Sequence, residues 1–167
     1  MHDVDAALDA EVELHCLGGF VLTVCYGMPR ATKDIDCWEV VPRSRLDSIQ
    51  QIAGESSRLA RKHRVHIQYS QVGTLPEDYA ERLSEIPLHG LNKLRLLGLD
   101  PYDLALSKLE RNAERDRDDV RWLARAIPLE ANVLRERYKK ELRPYLANEA
   151  RHDLTLRLWL EDLFPNA

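Results

Sequence analysis

An α+β fold, with a mixed α/β front half and an all-helical back half, follows from three observations on the sequence. Short apolar runs alternate with polar residues, as in Val65, Ile67 and Tyr69 against His66 and Gln68, the period of a half-buried strand. Between such runs lie segments whose apolar residues recur at helical spacing. From Pro101 onward that helical spacing prevails almost without interruption. The chain has 167 residues, 44% of them hydrophobic and 31% charged, which suits one domain with a helical extension and excludes global disorder. The expected division is an α/β core over residues 1–100 and a helical C-terminal portion over 101–167 packed on it.

Each element has its own signal. Residues 4–12 carry apolar positions at helical spacing among acids and predict a first helix, and 13–17 predict a strand halted by Gly18-Gly19. Residues 20–26 read as a buried helix ended by Gly27 and Pro29, since glycine suits a helix C-terminus and proline cannot continue the ladder. A second strand spans 35–41 and is closed by Pro42. Residues 43–62 read as a helix with Gly54 as its weak point, followed by a strand over 64–70. The stretch 73–87 reads as loop with a short helix at 79–83, and 91–97 as a further strand. Helices are then expected at 102–112, 115–127, 129–142 and 147–163, the first behind Asp100 as N-cap with Pro101 in its first turn. No internal repeat or Gly/Ser linker interrupts this order.

Composition excludes several classes of function. With 24 basic and 28 acidic residues the formal charge is −4, which does not suggest general affinity for nucleic acid. No apolar run approaches the 18 or so residues of a membrane span, and the start Met-His-Asp-Val-Asp lacks the basic region of a secretory signal, so a cytoplasmic protein is expected. Cys16, Cys25 and Cys37 form no CxxC pair and read as reduced thiols. Metal binding by His15 with Cys16 is disfavoured, because adjacent strand residues point to opposite faces.

The chemistry concentrates between Leu17 and Val41. Asp34 and Asp36 are two residues apart on a predicted strand and therefore share a face. Two such carboxylates repel, and a divalent cation relieves the repulsion. Mg²⁺ suits hard oxygen ligands and commonly shares one or two carboxylates with substrate phosphates. Gly18 and Gly19, lacking Cβ, allow backbone N–H groups to approach phosphate oxygens at the start of a helix. Arg30 and Lys33 flank the carboxylates as candidate phosphate partners, Arg30 with bidentate geometry. A second charged cluster joins Lys108 to Arg115-Asp116-Arg117-Asp118-Asp119, where an unbroken helix would set Lys108 and Asp119 on one face, eleven residues apart. By default such a helix is a solvated face with i,i+4 pairs.

These residues in this order resemble the nucleotidyltransferase (DNA polymerase β-like) superfamily. The string Leu17-Gly18-Gly19, then Pro29-Arg30-Ala31-Thr32-Lys33-Asp34-Ile35-Asp36, is similar to its signature. The Arg-x-Thr-x-Asp-x-Asp form resembles in particular the AbiEii-type toxins of type IV toxin–antitoxin systems and their small relatives, the DUF6036 group. The resemblance implies a mixed sheet with flanking helices and Mg²⁺-dependent transfer of a nucleotide from an NTP to a hydroxyl of RNA, protein or a small molecule. It implies Asp34 and Asp36 as metal ligands and Gly18, Gly19, Arg30, Thr32 and Lys108 as nucleotide contacts. Asp119 becomes a supporting acid beside the catalytic Asp34, Asp36 and Lys108.

Two departures stand out. Fourteen residues separate Gly19 from Asp34, at the long end of the usual spacing. The strand at 64–70 carries Gln68 where a third acid is expected, and a neutral amide neither accepts a proton nor adds charge to a metal site. His66, on the same face, is a group able to take a proton. The alternative function is therefore a catalytically degenerate nucleotide-binding or protein-interaction module that keeps the fold. Leu154, Leu158, Trp159, Leu163 and Phe164 form an apolar surface for core packing, an antitoxin or a second copy of the chain. Arg135, Arg137, Lys139, Lys140 and Arg143 around Tyr138 suggest an RNA-binding patch, weakened by Glu130, Glu136 and Glu141 among them.

Overall fold

The structure, a computed structural model, describes residues 1–71 and 73–165. The chain folds into two compact units, one built from Met1–Gln71 and Leu83–Leu99, the other from the described residues of Val72–Arg82 and Asp100–Ala167. Among the described residues no helix is long and apolar enough to cross a membrane.

The first unit is a five-stranded mixed sheet. Its strands are β1 (Val12–Leu17), β2 (Asp34–Val41), β3 (His66–Tyr69), β4 (Ser84–Glu85) and β5 (Leu94–Gly98), in the order β3-β2-β1-β5-β4. β1 runs antiparallel to β2 and parallel to β5; β2 is parallel to β3, and β4 antiparallel to β5. Leu14, Cys16, Ile35, Cys37, Val40, Ile67, Leu94 and Leu96 are buried on the sheet, and the helices α2 (Gly18–Val24) and α3 (Leu46–Ala53) contribute buried Val21, Leu22 and Ile49. Fully burying one such side chain is worth about 1.5–3 kcal/mol. Gly98 lets β5 come against α2, because a Cβ there would stand 3.2 Å from Val21 Cγ1. A short helix α1 (His2–Ala7) supplies buried Asp5, whose Oδ1 accepts from the N–H groups of Asn92, Lys93 and Leu94 at 2.7–2.9 Å. Those three bonds fix the entry to β5, and they hold the Asp5 carboxyl below its usual range.

The second unit is helical, with α5 (Pro101–Leu106), α6 (Glu114–Ala126), α7 (Ala131–Arg137) and α8 (Glu149–Leu163), and a π-type turn Tyr138–Leu142 after α7. Asp100 caps α5, its side chain accepting from Asp103 N–H at 2.8 Å, and Pro101 occupies the first turn. Buried Asp103 takes two bonds from the Arg82 guanidinium, at 2.8 and 3.1 Å, and one from Arg137 at 3.0 Å. Arg82 also reaches Glu141 at 2.6 Å, so this network ties Tyr79–Arg82 to α5 and to the turn after α7.

Several boundaries differ from the expected ones. The first helix stops at Ala7, and β1 begins at Val12. The helix after β1 starts on Gly18 itself rather than at residue 20 and ends at Val24. The predicted helix 43–62 is three pieces: a 3-10 turn Arg43–Arg45, α3, and α4 (Arg58–His63). Gly54 is the break, and Ser57 recaps the chain by accepting from Ala60 N–H. The predicted helix 102–112 ends at Leu106, where the Ser107 hydroxyl bonds the Leu104 carbonyl at 2.7 Å. Lys108 and Asp119 are therefore not on one unbroken helix.

Candidate functional site

The turn from β1 into α2 and the start of β2 are neighbours because β1 and β2 pair antiparallel, with Leu17 opposite Asp36. Gly18 has φ +71°, a left-handed conformation that side chains rarely adopt. A Cβ at this position would overlap the Asp36 carboxylate. The backbone of the glycine pair and the second acid of Asp-x-Asp are thus in direct apposition. Only glycine permits it. α2 has seven residues, so the approach of the bare backbone matters here more than the helix dipole.

Asp34 sits at the first position of β2 and shares its face with Asp36. Burial alternates to match, Ile35 and Cys37 being buried and Asp34 and Asp36 partly exposed. The Asp34 side chain is 48% exposed and its Oδ1 lies 3.6 Å from His66 Nε2. Thr32 anchors the strand start, its hydroxyl donating to the Asp34 carbonyl at 2.9 Å and accepting from Asp34 N–H at 3.4 Å. The Arg30 carbonyl accepts from the Thr23 hydroxyl at 2.8 Å, which pins the connection to α2. On β3, His66 pairs with Asp34 and Gln68 with Asp36. The neutral amide therefore occupies the strand position beside the second acid. Behind the site, Cys16 and Cys37 face each other across β1 and β2. Burial pushes both thiols up, Cys37 to about 12.

Farther along β2 the pairing with β1 slips between His15 and Cys16, which stand opposite Glu39 and Cys37. Trp38 is the extra residue of this bulge. Asp34, Asp36, Trp38 and Glu39 are all partly exposed, while burial resumes at Val40. Alternation along β2 sets Trp38 on the carboxylate face, and the bulge keeps Glu39 on that face as well. His15 lies beside it in the neighbouring strand, 3.1 Å from Glu13 and 3.8 Å from Glu39. Trp38 lies outside the motif that marks Asp34 and Asp36, and its two-residue offset from Asp36 is the sequence signal that places it on their face.

The other predicted residues belong to the second unit. Lys108 is 7% exposed, and its ammonium donates to Asp119 Oδ2 at 2.8 Å, with Asp116 Oδ1 at 3.8 Å. Asp116 is fully buried and takes two bonds from Arg111, at 2.7 and 2.5 Å, and one from Ala113 N–H at 3.0 Å. Burial alone would raise the Asp116 carboxyl, but Arg111, the Ala113 N–H and Lys108 together hold it below the usual range. Within the first unit the structure brings together Gly18, Asp34 and Asp36; within the second, Lys108 and Asp119.

No group of three or more His, Cys, Asp and Glu among the described residues is arranged to hold a metal by itself. Two carboxylate side chains on one strand face remain. That donor set fits a hard divalent ion that keeps waters and takes its other ligands from phosphate.

The chain matches the family DUF6036, described as a nucleotidyltransferase of unknown function, over residues 2–162, and it belongs to that family. No curated protein and no solved structure matches it.

Proposed function

We propose that this member of a nucleotidyltransferase family transfers a nucleotide from an NTP to a hydroxyl, with Asp34 and Asp36 holding Mg²⁺. The observation that carries the reading is the Asp36 carboxylate seated on the bare Cα of Gly18, with Asp34 on the same strand face. Phosphates and a carboxylate-bound cation need to meet where backbone N–H groups are accessible, and the glycine pair leaves that space. When bound, the ion supplies positive charge at the phosphate oxygens and at the attacking hydroxyl. The acceptor oxygen bonds the α-phosphorus, the bond to pyrophosphate breaks, pyrophosphate leaves, and the hydroxyl proton passes to solvent. Asp34 and Asp36 would hold the ion, which when bound would bring positive charge to the triphosphate, and Gly18 and Gly19 leave main-chain donors beside it. Thr32 holds Asp34 in place through the backbone. Lys108, committed to Asp119 in a buried pair, serves in this reading as scaffold for the turn between α5 and α6.

A second reading, nucleotide binding without transfer, is favoured by Gln68 beside Asp36. Calorimetric titration of each NTP, with and without Mg²⁺, into wild type and Asp34→Ala/Asp36→Ala protein tests the first. Metal-dependent binding that the double variant loses supports the site, and absence of binding to any NTP overturns it. Wild-type binding with no transfer of α-phosphate label to RNA, protein or small-molecule hydroxyls would favour the second.

A further inference from the structure

We infer that Trp38 is the platform on which the base of the bound nucleotide stacks, so that β2 carries both the phosphate end and the base end of the substrate site. This rests on the nucleotidyl-transfer reading above and adds the part of the substrate that the carboxylates do not touch. Three features of β2 support it. Trp38 follows Asp36 by two residues, about 7 Å along a strand, a span that a ribose bridges between an α-phosphate and its base. Alternation puts Trp38 on the carboxylate face, and the bulge opposite His15 and Cys16 takes it out of the regular pairing with β1 and keeps Glu39 on that face, where an unbulged strand would have returned it to the buried side with Cys37. Trp38 is also only partly buried. The chain's other two tryptophans, Trp122 and Trp159, belong to the second unit, where Trp159 is 8% exposed and its indole N–H donates to Asn112 at 3.1 Å.

Glu39, with its side chain 43% exposed, follows Trp38 in β2, and His15, largely buried, stands opposite Glu39 on β1. An indole face binds a base by stacking, whatever the base. The bulge leaves Trp38 unpaired and holds the next residue, Glu39, on the same partly exposed face, so an aromatic side chain lies between two carboxylates and a third acidic residue along β2.

Calorimetry with Mg²⁺ tests the inference, using NTP and inorganic tripolyphosphate, which has the phosphates but no base. Wild type, Trp38→Ala, Trp38→Leu and Trp38→Phe are compared after circular dichroism has established that each is folded. Wild type is expected to bind NTP more tightly than tripolyphosphate. Trp38→Ala and Trp38→Leu should weaken NTP binding about 10-fold or more, leave tripolyphosphate unchanged, and be rescued by Trp38→Phe. Equal affinity of wild type for the two ligands overturns the inference and leaves the nucleotidyl-transfer reading standing. Full NTP affinity in Trp38→Leu, or equal weakening of both ligands, overturns it as well, because the residue would then be supporting the strand. If wild type binds neither ligand, both fall.

Discussion

Two pairs of aspartates divide this molecule by their surroundings. Asp34 and Asp36 lie on an open strand face, the Asp34 side chain half exposed with an imidazole 3.6 Å away. Asp116 and Asp119 are 0% and 1% exposed and are engaged by Lys108 and, for Asp116, by Arg111. A carboxylate half exposed to water, as Asp34 is, can be reached by a cation from solvent. One sealed against an ammonium is already neutralised, and it holds a turn in place. The motifs look alike as strings, Asp-x-Asp and Asp-x-x-Asp, and burial tells them apart.

The largest effect should come from the buried pair. Asp119→Ala leaves the Lys108 ammonium without its main partner, and breaking such a pair costs about 3–5 kcal/mol. The urea midpoint should drop accordingly. Replacing both members, Lys108→Met with Asp119→Leu, should recover much of the loss, because apolar groups of similar volume commonly substitute for a buried ion pair. Wild-type stability in Asp119→Ala, combined with loss of nucleotide transfer, would move Asp119 from scaffold to chemistry and erase the contrast.

Gly18→Ala should act on both properties at once. Its left-handed φ of +71° penalises any Cβ by about 1–2 kcal/mol, and the added atom displaces the Asp36 carboxylate. We expect a moderate drop in the denaturation midpoint and loss of Mg²⁺-dependent NTP binding. Retained binding would mean that the meeting of Gly18 and Asp36 is incidental to the site.

How much of this was legible in the sequence depended on whether the signal was local. The strand 35–41 and the Asp-x-Asp face were readable because alternation fixes which side chains share a side, and β2 begins only one residue earlier, at Asp34. Gly54 announced the break that separates α3 from α4. β4 has two exposed residues and carries no pattern at all, so it read as loop. The bulge at Trp38 was hidden, since it depends on how β1 registers against β2 and not on β2 alone. The eleven-residue spacing of Lys108 and Asp119 suggested a shared helical face, whereas the contact is made across the turn where Asn112 takes a φ of +48°. A correct pair was thus reached by a wrong geometry.

The smallest expected effect on stability belongs to Asp34→Asn, and it bears most directly on the comparison. The amide keeps the shape of the carboxylate, and the hydrogen bonds that Thr32 makes to residue 34 involve only its backbone. What is removed is one half-exposed negative charge near His66, and exposed ion pairs are worth about 0–1 kcal/mol. The unfolding free energy read from urea denaturation should therefore stay within about 0.5 kcal/mol of wild type. NTP binding in the presence of Mg²⁺ should nevertheless fall, because an amide oxygen offers the cation no charge. A residue that contributes to ligand binding and almost nothing to folding is what the open face requires. If Asp34→Asn instead destabilised the protein as much as Asp119→Ala, the exposed carboxylate would be as structural as the buried one, and the division between the two pairs would fail.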